Sequence, residues 1–291
     1  MLKRCQQASL TTIMSTSTCT QDYKDNLKII KEFPVTEGYP KILTTLGVHP
    51  SYCEGVFKGK ECKGDWKLVD EYFDKMLELF RDESKRDHLV AIGECGLDYA
   101  RLFRSGKECQ MEFFQRHFDL LGKLEASKRP AMFLHSRDCA ADFMAVLKKN
   151  RDVFPGGVVH SYTGSADEAK ELLEFSDNLF IGLNGCSLRD EQGIAVASML
   201  PLDRIMIESD APYCEMRPSH ASRPFLLDFE WEIPRAVDKD RHDPAKPVKG
   251  RNEPSETRRV LRVLSKLRGV EEEELSEIIY ENTMRLFPSC A

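Results

Sequence analysis

The chain has 291 residues, 41% hydrophobic and 31% charged, which suits a globular domain and excludes a mostly disordered or fibrous one. Its 42 Lys and Arg stand against 48 Asp and Glu, a formal charge of −6, so it is not a globally basic nucleic-acid binder. Any polyanion must be met by a local patch or by metal ions.

Short apolar runs alternate with longer amphipathic stretches along the chain. Residues 10–15 read as a first strand, followed by a helix with Tyr23, Leu27, Ile30 and Phe33 on one face. Residues 42–47 are a second strand. Val69, Phe73, Met76, Leu77 and Phe80 then mark one side of a helix. Strands at 89–93 and 131–134 flank a helix over 109–123 that aligns Phe114, Phe118 and Leu121. Helices over 140–149 and 167–175 surround a strand at 157–160, and strands at 179–183 and 204–207 follow. Two last helices cover 255–267 and 272–285. Near-continuous apolar strands are buried on both faces, and their alternation with helices predicts a parallel α/β fold. The length suits one barrel-sized domain, 1–291.

One region breaks the rhythm. Residues 215–251 are rich in prolines and charges and read as a long loop. Its part 235–251 carries six Lys or Arg against three Asp, which makes either a phosphate patch or a solvated loop. No run approaches the roughly 18–20 consecutive apolar residues of a membrane span. Lys3 and Arg4 lead into polar residues, without the apolar core of an export signal. Ten cysteines form no C-x-x-C pair and read as free thiols of a reducing compartment.

The chemistry-bearing residues sit at strand ends. His49, Glu94, His135, His160 and Asp210 follow five different predicted strands, on the face where parallel barrels and open α/β sheets build their sites. Taken singly, each has a plain reading: a core histidine, a helix cap at Glu94, a turn at Ser209-Asp210-Ala211-Pro212. Together, imidazoles and carboxylates suit a divalent metal such as zinc, manganese or magnesium. The absence of paired cysteines points away from a structural zinc site.

The strings L-G-V-H-P (46–50), V-A-I-G-E-C-G-L-D-Y (90–99), F-L-H-S-R-D (133–138), V-V-H-S-Y-T-G (158–164), I-G-L-N-G (181–185), I-E-S-D-A-P-Y (207–213) and R-N-E-P (251–254) occur in that order. Together they closely resemble the TatD family of metal-dependent deoxyribonucleases. The resemblance implies a TIM-type barrel of the metal-dependent hydrolase superfamily acting on the phosphodiester bonds of DNA, at 3′ ends or in single strands. It also implies that Glu94, His135, His160 and Asp210 bind divalent metal, two ions with Glu94 between them. Mg²⁺ is the expected metal, with Zn²⁺ or Mn²⁺ compatible with the histidines. Asp210 doubles as the acceptor of the attacking water's proton. His49 is placed in the catalytic pocket, Arg137 on the phosphate, and Arg251 on a loop beside it. DNA as substrate, with the free thiols, implies the nucleus or cytoplasm.

Ser136 and Ser209 depart mildly from the pattern, standing where Cys and Thr are common. A larger departure is at the start. The family opens on a strand with a His-x-His or Asp-x-Gly-x-Asn motif, whereas no His precedes His49 and residues 10–19 resemble the family's second strand. An incomplete barrel of seven strands is therefore expected, with two unpaired edges and an uncovered apolar wall, as in an alternative or incomplete gene product. Two other readings are kept: a hydrolase of another ester or amide, such as mis-charged aminoacyl-tRNA, and a shortened, catalytically impaired isoform.

Overall fold

Strands lie side by side in the order in which they occur in the sequence. The computed structural model describes residues 1–57, 66–85, 87–228, 236–241 and 243–290. Its elements are α1 (Leu2–Gln7), β1 (Thr12–Ser15), α2 (Thr20–Glu32), β2 (Lys41–Leu46), α3 (Trp66–Arg81), β3 (Leu89–Asp98), α4 (Lys107–Gly122) and β4 (Ala131–Arg137). Then come α5 (Ala140–Lys149), β5 (Gly157–Val159), α6 (Ala166–Phe175), β6 (Leu179–Leu183), α7 (Glu191–Met199), β7 (Ile205–Ile207), α8 (Thr257–Arg268) and α9 (Glu272–Leu286). The sheet runs β1-β2-β3-β4-β5-β6-β7 with every pair parallel. A sheet that winds in one direction, with helical crossovers, curls as a barrel does; a doubly wound sheet reverses its order. The fold is an incomplete TIM-type barrel, and β1 and β7 are its edges.

The expected uncovered wall is not found. Ala91, Phe133, Val158, Phe180 and Met206, one from each of β3 to β7, form an inner apolar layer and are all buried. Leu286 and Phe287, at the end of α9, pack into that layer, with Met14 of β1 and Cys290 against it. The same chain end ties the two edges together. Asn282 Nδ2 donates to the carbonyls of Leu202 and Ile205 at 2.8 Å each, next to β7. On the other side, Thr12 Oγ1 and Lys41 Nζ donate to the carbonyls of Cys290 and Ser289, at 3.2 and 2.8 Å. The larger apolar cluster lies between the sheet and the helices and includes all five predicted apolar residues of α3.

Four features differ from the sequence expectation. Helix α1 was not foreseen: it buries Arg4, whose guanidinium makes a two-pronged pair with the Glu253 carboxylate and donates to the Pro244 carbonyl at 2.7 Å. Helix α7 was missed too, because its apolar residues Ile194, Ala195, Val196 and Ala197 run consecutively and give no clear stripe. Strands β3 and β4 extend to Asp98 and Arg137, beyond Gly93 and Leu134, which were read as their ends. Gly93 and Gly96 both hold φ of +144°, and a Cβ on Gly96 would lie 1.9 Å from the His135 carbonyl oxygen. Only glycine lets the two strands approach so closely there. The fourth difference is the long loop. Its described part carries two short 3₁₀ turns and a bridge between Val237 and Val248, whereas residues 229–235 and 242, with Arg235 of the basic patch, lie outside the described residues. Lys246 and Lys249 pair with the loop's own Asp243 and Asp238, at 3.6 and 2.8 Å, which takes part of the patch's charge away. Among the described residues no helix is long and apolar enough to cross a membrane.

Candidate active site

Four successive strands, β2 to β5, deliver a cluster of imidazoles around one carboxylate. Glu94 occupies a register shift in β3, where Gly93 faces Phe133 but Cys95 already faces Leu134. That irregularity re-aims one side chain, as bulges beside active sites do. The backbone N–H of Glu94 donates to the Ser17 carbonyl at 3.0 Å, so the segment after β1 props it. Its Oε1 lies 2.8 Å from His135 Nδ1, 2.7 Å from His160 Nε2 and 3.3 Å from His49 Nε2. His135 Nδ1 and His160 Nε2 are themselves 3.1 Å apart.

Each imidazole is oriented from behind. His49 Nδ1 accepts the Ser51 N–H at 3.0 Å, which leaves its Nε2–H facing Glu94. The turn that carries His49 is fixed by His117 of α4, whose Nε2 accepts the Val48 N–H at 3.1 Å while Nδ1–H donates to the Phe113 carbonyl at 2.7 Å. Burial pushes His117 down to about 4, so it stays neutral and serves both bonds. Behind His160, Nδ1 lies 3.5 Å from the Glu208 carboxylate, which also takes hydrogen bonds from the Ser161 N–H and Asn184 Nδ2. Behind His135, Nε2 lies 3.6 Å from Asp98 Oδ2.

The charges follow from these contacts. Burial works against ionisation of Glu94, yet His160, His49 and His135 hold its carboxyl well below the usual carboxylate range. Burial likewise pushes His160 down, but Glu94 and Glu208 outweigh it and keep the imidazole well above its ordinary value. His135 is raised on the same balance, with Asp98 and Glu94 opposing burial.

Asp210 stands on the same face, beyond β7. Burial is the main cause that pushes its carboxyl up to about 6, and Glu208 and Glu94 add to it. Its Oδ2 accepts from Cys214 Sγ at 3.2 Å. The Arg251–Pro254 segment backs it through Asn252, whose Nδ2 donates to the Ser209 carbonyl at 2.8 Å and whose N–H donates to Pro212 O at 3.0 Å. Asp138, Ser161, Asp210 and Cys214, all in turns after strands on this face, hold φ of 48–55°. Strained backbone of this kind gathers at functional sites.

The structure thus brings His49, Glu94, His135 and His160 into direct contact. Asp210 is near enough to feel Glu94 and His160 electrostatically, but it belongs to neither group of donors that closes to within 4.8 Å among the described residues. Arg137 ends β4 and is exposed, and its charge is felt at Asp98 and at Cys186. Arg251 is exposed on the loop beside Asp210. Glu94 and His135 lie inside extended strands, not after them. Two carboxylates were not assigned from sequence, Asp98 and Glu208. Both lie inside the strings that carry the resemblance, at 90–99 and 207–213, and that adjacency was the available signal.

The donor set fits a divalent cation. Glu94 Oε1, His135 Nδ1 and His160 Nε2 are three acceptor-capable atoms within 3.1 Å of one another, and such a set repels itself unless protons or a cation sit between. Two imidazoles with carboxylate suit zinc, manganese or iron-like ions.

Comparison with known proteins agrees with this geometry. Residues 1–288 match the model of the family described as TatD related DNase. A deoxyribonuclease Tat-D of Schizosaccharomyces pombe is 35% identical over 267 residues, covering 90% of this chain and 80% of the relative. A 3′-5′ ssDNA/RNA exonuclease TatD of Dickeya dadantii is 29% identical over 290 residues, covering 99% and 90%. Among solved structures, a TatD family hydrolase of Entamoeba histolytica superposes with a TM-score of 0.84 at 29% identity, covering 98% of this chain and 87% of that one. With a family match over nearly its whole length and the metal-suited cluster at the matching strings, the chain belongs to the TatD related DNase family.

Proposed function

We propose that this chain is a single-domain nuclease that removes nucleotides from the 3′ end of DNA at a centre of two divalent ions. Glu94, His135 and His160 hold the first ion, and Glu94 with Asp210 holds the second. The observation that carries the reading is the approach of three donor atoms from three strands to within 3.1 Å. When bound, such ions lower the pKa of a water toward about 7 and polarise the phosphoryl oxygen. Mg²⁺ suits phosphoryl chemistry, and the imidazoles equally accept Mn²⁺ or Zn²⁺.

The chain's own residues supply the rest. Asp210, with its carboxyl pushed up to about 6, is matched to taking a proton near neutral pH. His49, with Nε2–H turned into the centre, donates toward a phosphate oxygen held there. Arg137, exposed at the end of β4, and Arg251, exposed on the loop that leads to Asn252, neutralise the substrate backbone. This division explains how a chain of net charge −6 handles a polyanion: the cations are local. The nuclease names of the relatives favour DNA over an aminoacyl-tRNA ester. A DNA substrate, with no disulfide among the nine described cysteines, fits the nucleus or cytoplasm.

The test is a chelation-controlled assay on single-stranded DNA labelled at either end. We expect metal-dependent shortening from the 3′ end, abolished in His135→Ala and lowered ~10²–10⁴-fold in Asp210→Asn. Full activity in either variant, or cleavage indifferent to chelation, contradicts the assignment.

A further inference from the structure

We infer that Asp98 is a positioning residue: it fixes the tautomer and rotation of His135 and thereby sets the affinity of the centre for its first ion. The inference rests on the metal-holding reading of Glu94, His135 and His160. Asp98 is fully buried, and neither of its carboxylate oxygens has a hydrogen-bond partner. The buried Nε2 of His135 has none either. Two of these orphaned atoms, Asp98 Oδ2 and His135 Nε2, face one another across 3.6 Å. Buried polar groups almost always find partners, so two orphans set against each other mark an interaction between these side chains.

Asp98 is mounted to serve this purpose. Gln110 of α4, itself fully buried, grips its backbone from both sides: the Asp98 N–H donates to Gln110 Oε1 at 2.8 Å, and Gln110 Nε2 donates to the Asp98 carbonyl at 3.0 Å. Gln110 Nε2 is anchored in turn on the Ser105 carbonyl at 2.8 Å. The seat is set by strand register. Gly96 lies directly against His135, and Asp98 pairs with Arg137.

A neutral imidazole carries one N–H and one lone pair. With the proton on Nε2, toward Asp98, the lone pair lies on Nδ1, the atom 2.8 Å from Glu94 and 3.1 Å from His160. The opposite tautomer would point a hydrogen at the ion. A carboxylate behind a ligating imidazole enforces the first arrangement and strengthens the ligand. Arg101 Nε, 3.7 Å from Asp98 Oδ2, is the competing partner, but its side chain is half exposed.

The experiment titrates Mn²⁺ alone into the parent and into Asp98→Asn, Asp98→Glu and Arg101→Ala. It also records the ¹⁵N signals of the His135 ring in the metal-free proteins at alkaline pH. We expect a parent ring protonated on Nε2. Asp98→Asn, whose amide can donate to Nε2 and favour the wrong tautomer, should weaken Mn²⁺ binding about 10–100-fold and shift the ring signals. Asp98→Glu should recover part of both, and Arg101→Ala should leave both unchanged. Parental affinity with unchanged signals in Asp98→Asn overturns the inference. So does the loss of one bound ion with parental affinity at the other, which would make Asp98 a ligand in its own right. Parental Mn²⁺ affinity in His135→Ala would instead sink the metal-holding reading, and the ring signals would still report on Asp98.

Discussion

At the scale of residues, the centre is a balance of buried charge. Glu94 is held ionised by three imidazoles, and it repays this by keeping His135 and His160 above their ordinary values. An imidazole must be neutral to ligate a metal, so loading the site expels protons. The sign follows. Because the two histidines are raised, their charged forms persist to higher pH than in a free imidazole, and metal affinity climbs as pH rises through their values and falls as pH drops. Calorimetry in buffers of different ionisation enthalpy should therefore detect proton release on metal binding. In Glu94→Gln, which removes the anion that raises both, we expect less proton release along with weaker binding. Proton release equal to the parent's would argue against this electrostatic account. The four residues that the structure gathers, His49, Glu94, His135 and His160, stood out because each lies in a distinctive string. Asp98 and Glu208 were not, since their roles depend on which neighbour a strand's register brings to the back of an imidazole. A string does not display that relation.

At the scale of elements, periodicity revealed the strands and the long amphipathic helices, including every buried residue of α3. It did not reveal α1, which is six residues long and is fastened by one buried pair, Arg4 with Glu253, from the far end of the chain. Nor did it show that β3 runs past two glycines; glycine reads as a stop until a partner strand is seen lying against it. The least legible feature is the part played by the end of α9. Phe287 is apolar and close to the C-terminus, and nothing local says that it enters the inner layer of the sheet. Phe287→Ala should cost about 3–5 kcal/mol in a denaturant melt, as for a buried aromatic, with loss of cooperativity at the β1 and β7 edges. A change under ~0.5 kcal/mol would mean that the chain end is not part of the core.

At the scale of the whole molecule, the proposed function asks an acidic chain to meet a polyanion with few cations. Lys246 and Lys249 are engaged by aspartates of their own loop. Arg137 and Arg251 are the proposed phosphate contacts. Two such contacts on a single strand give a shallow dependence on salt, a slope of roughly −1.4 in log affinity against log salt. Arg137→Ala and Arg251→Ala should each lower that slope by about 0.7 and weaken binding evenly across sequences, measured with Ca²⁺ to suppress turnover. A slope several times steeper would show that the wider basic loop carries the DNA. The open barrel was expected from the count of strands. The covering of its inner layer by the chain end was not, because the cover comes from residues 80 to 196 positions away from the residues of β3 to β7 that they pack against.

The central claim is that Glu94, His135 and His160 hold the ion on which cleavage depends. The most direct measurement is anomalous diffraction from crystals soaked in Mn²⁺. The account predicts a peak within roughly 2.0–2.3 Å of Glu94 Oε1, His135 Nδ1 and His160 Nε2 together. A protein that cleaves DNA in Mn²⁺ yet shows no peak there, or shows its ion elsewhere, would contradict it.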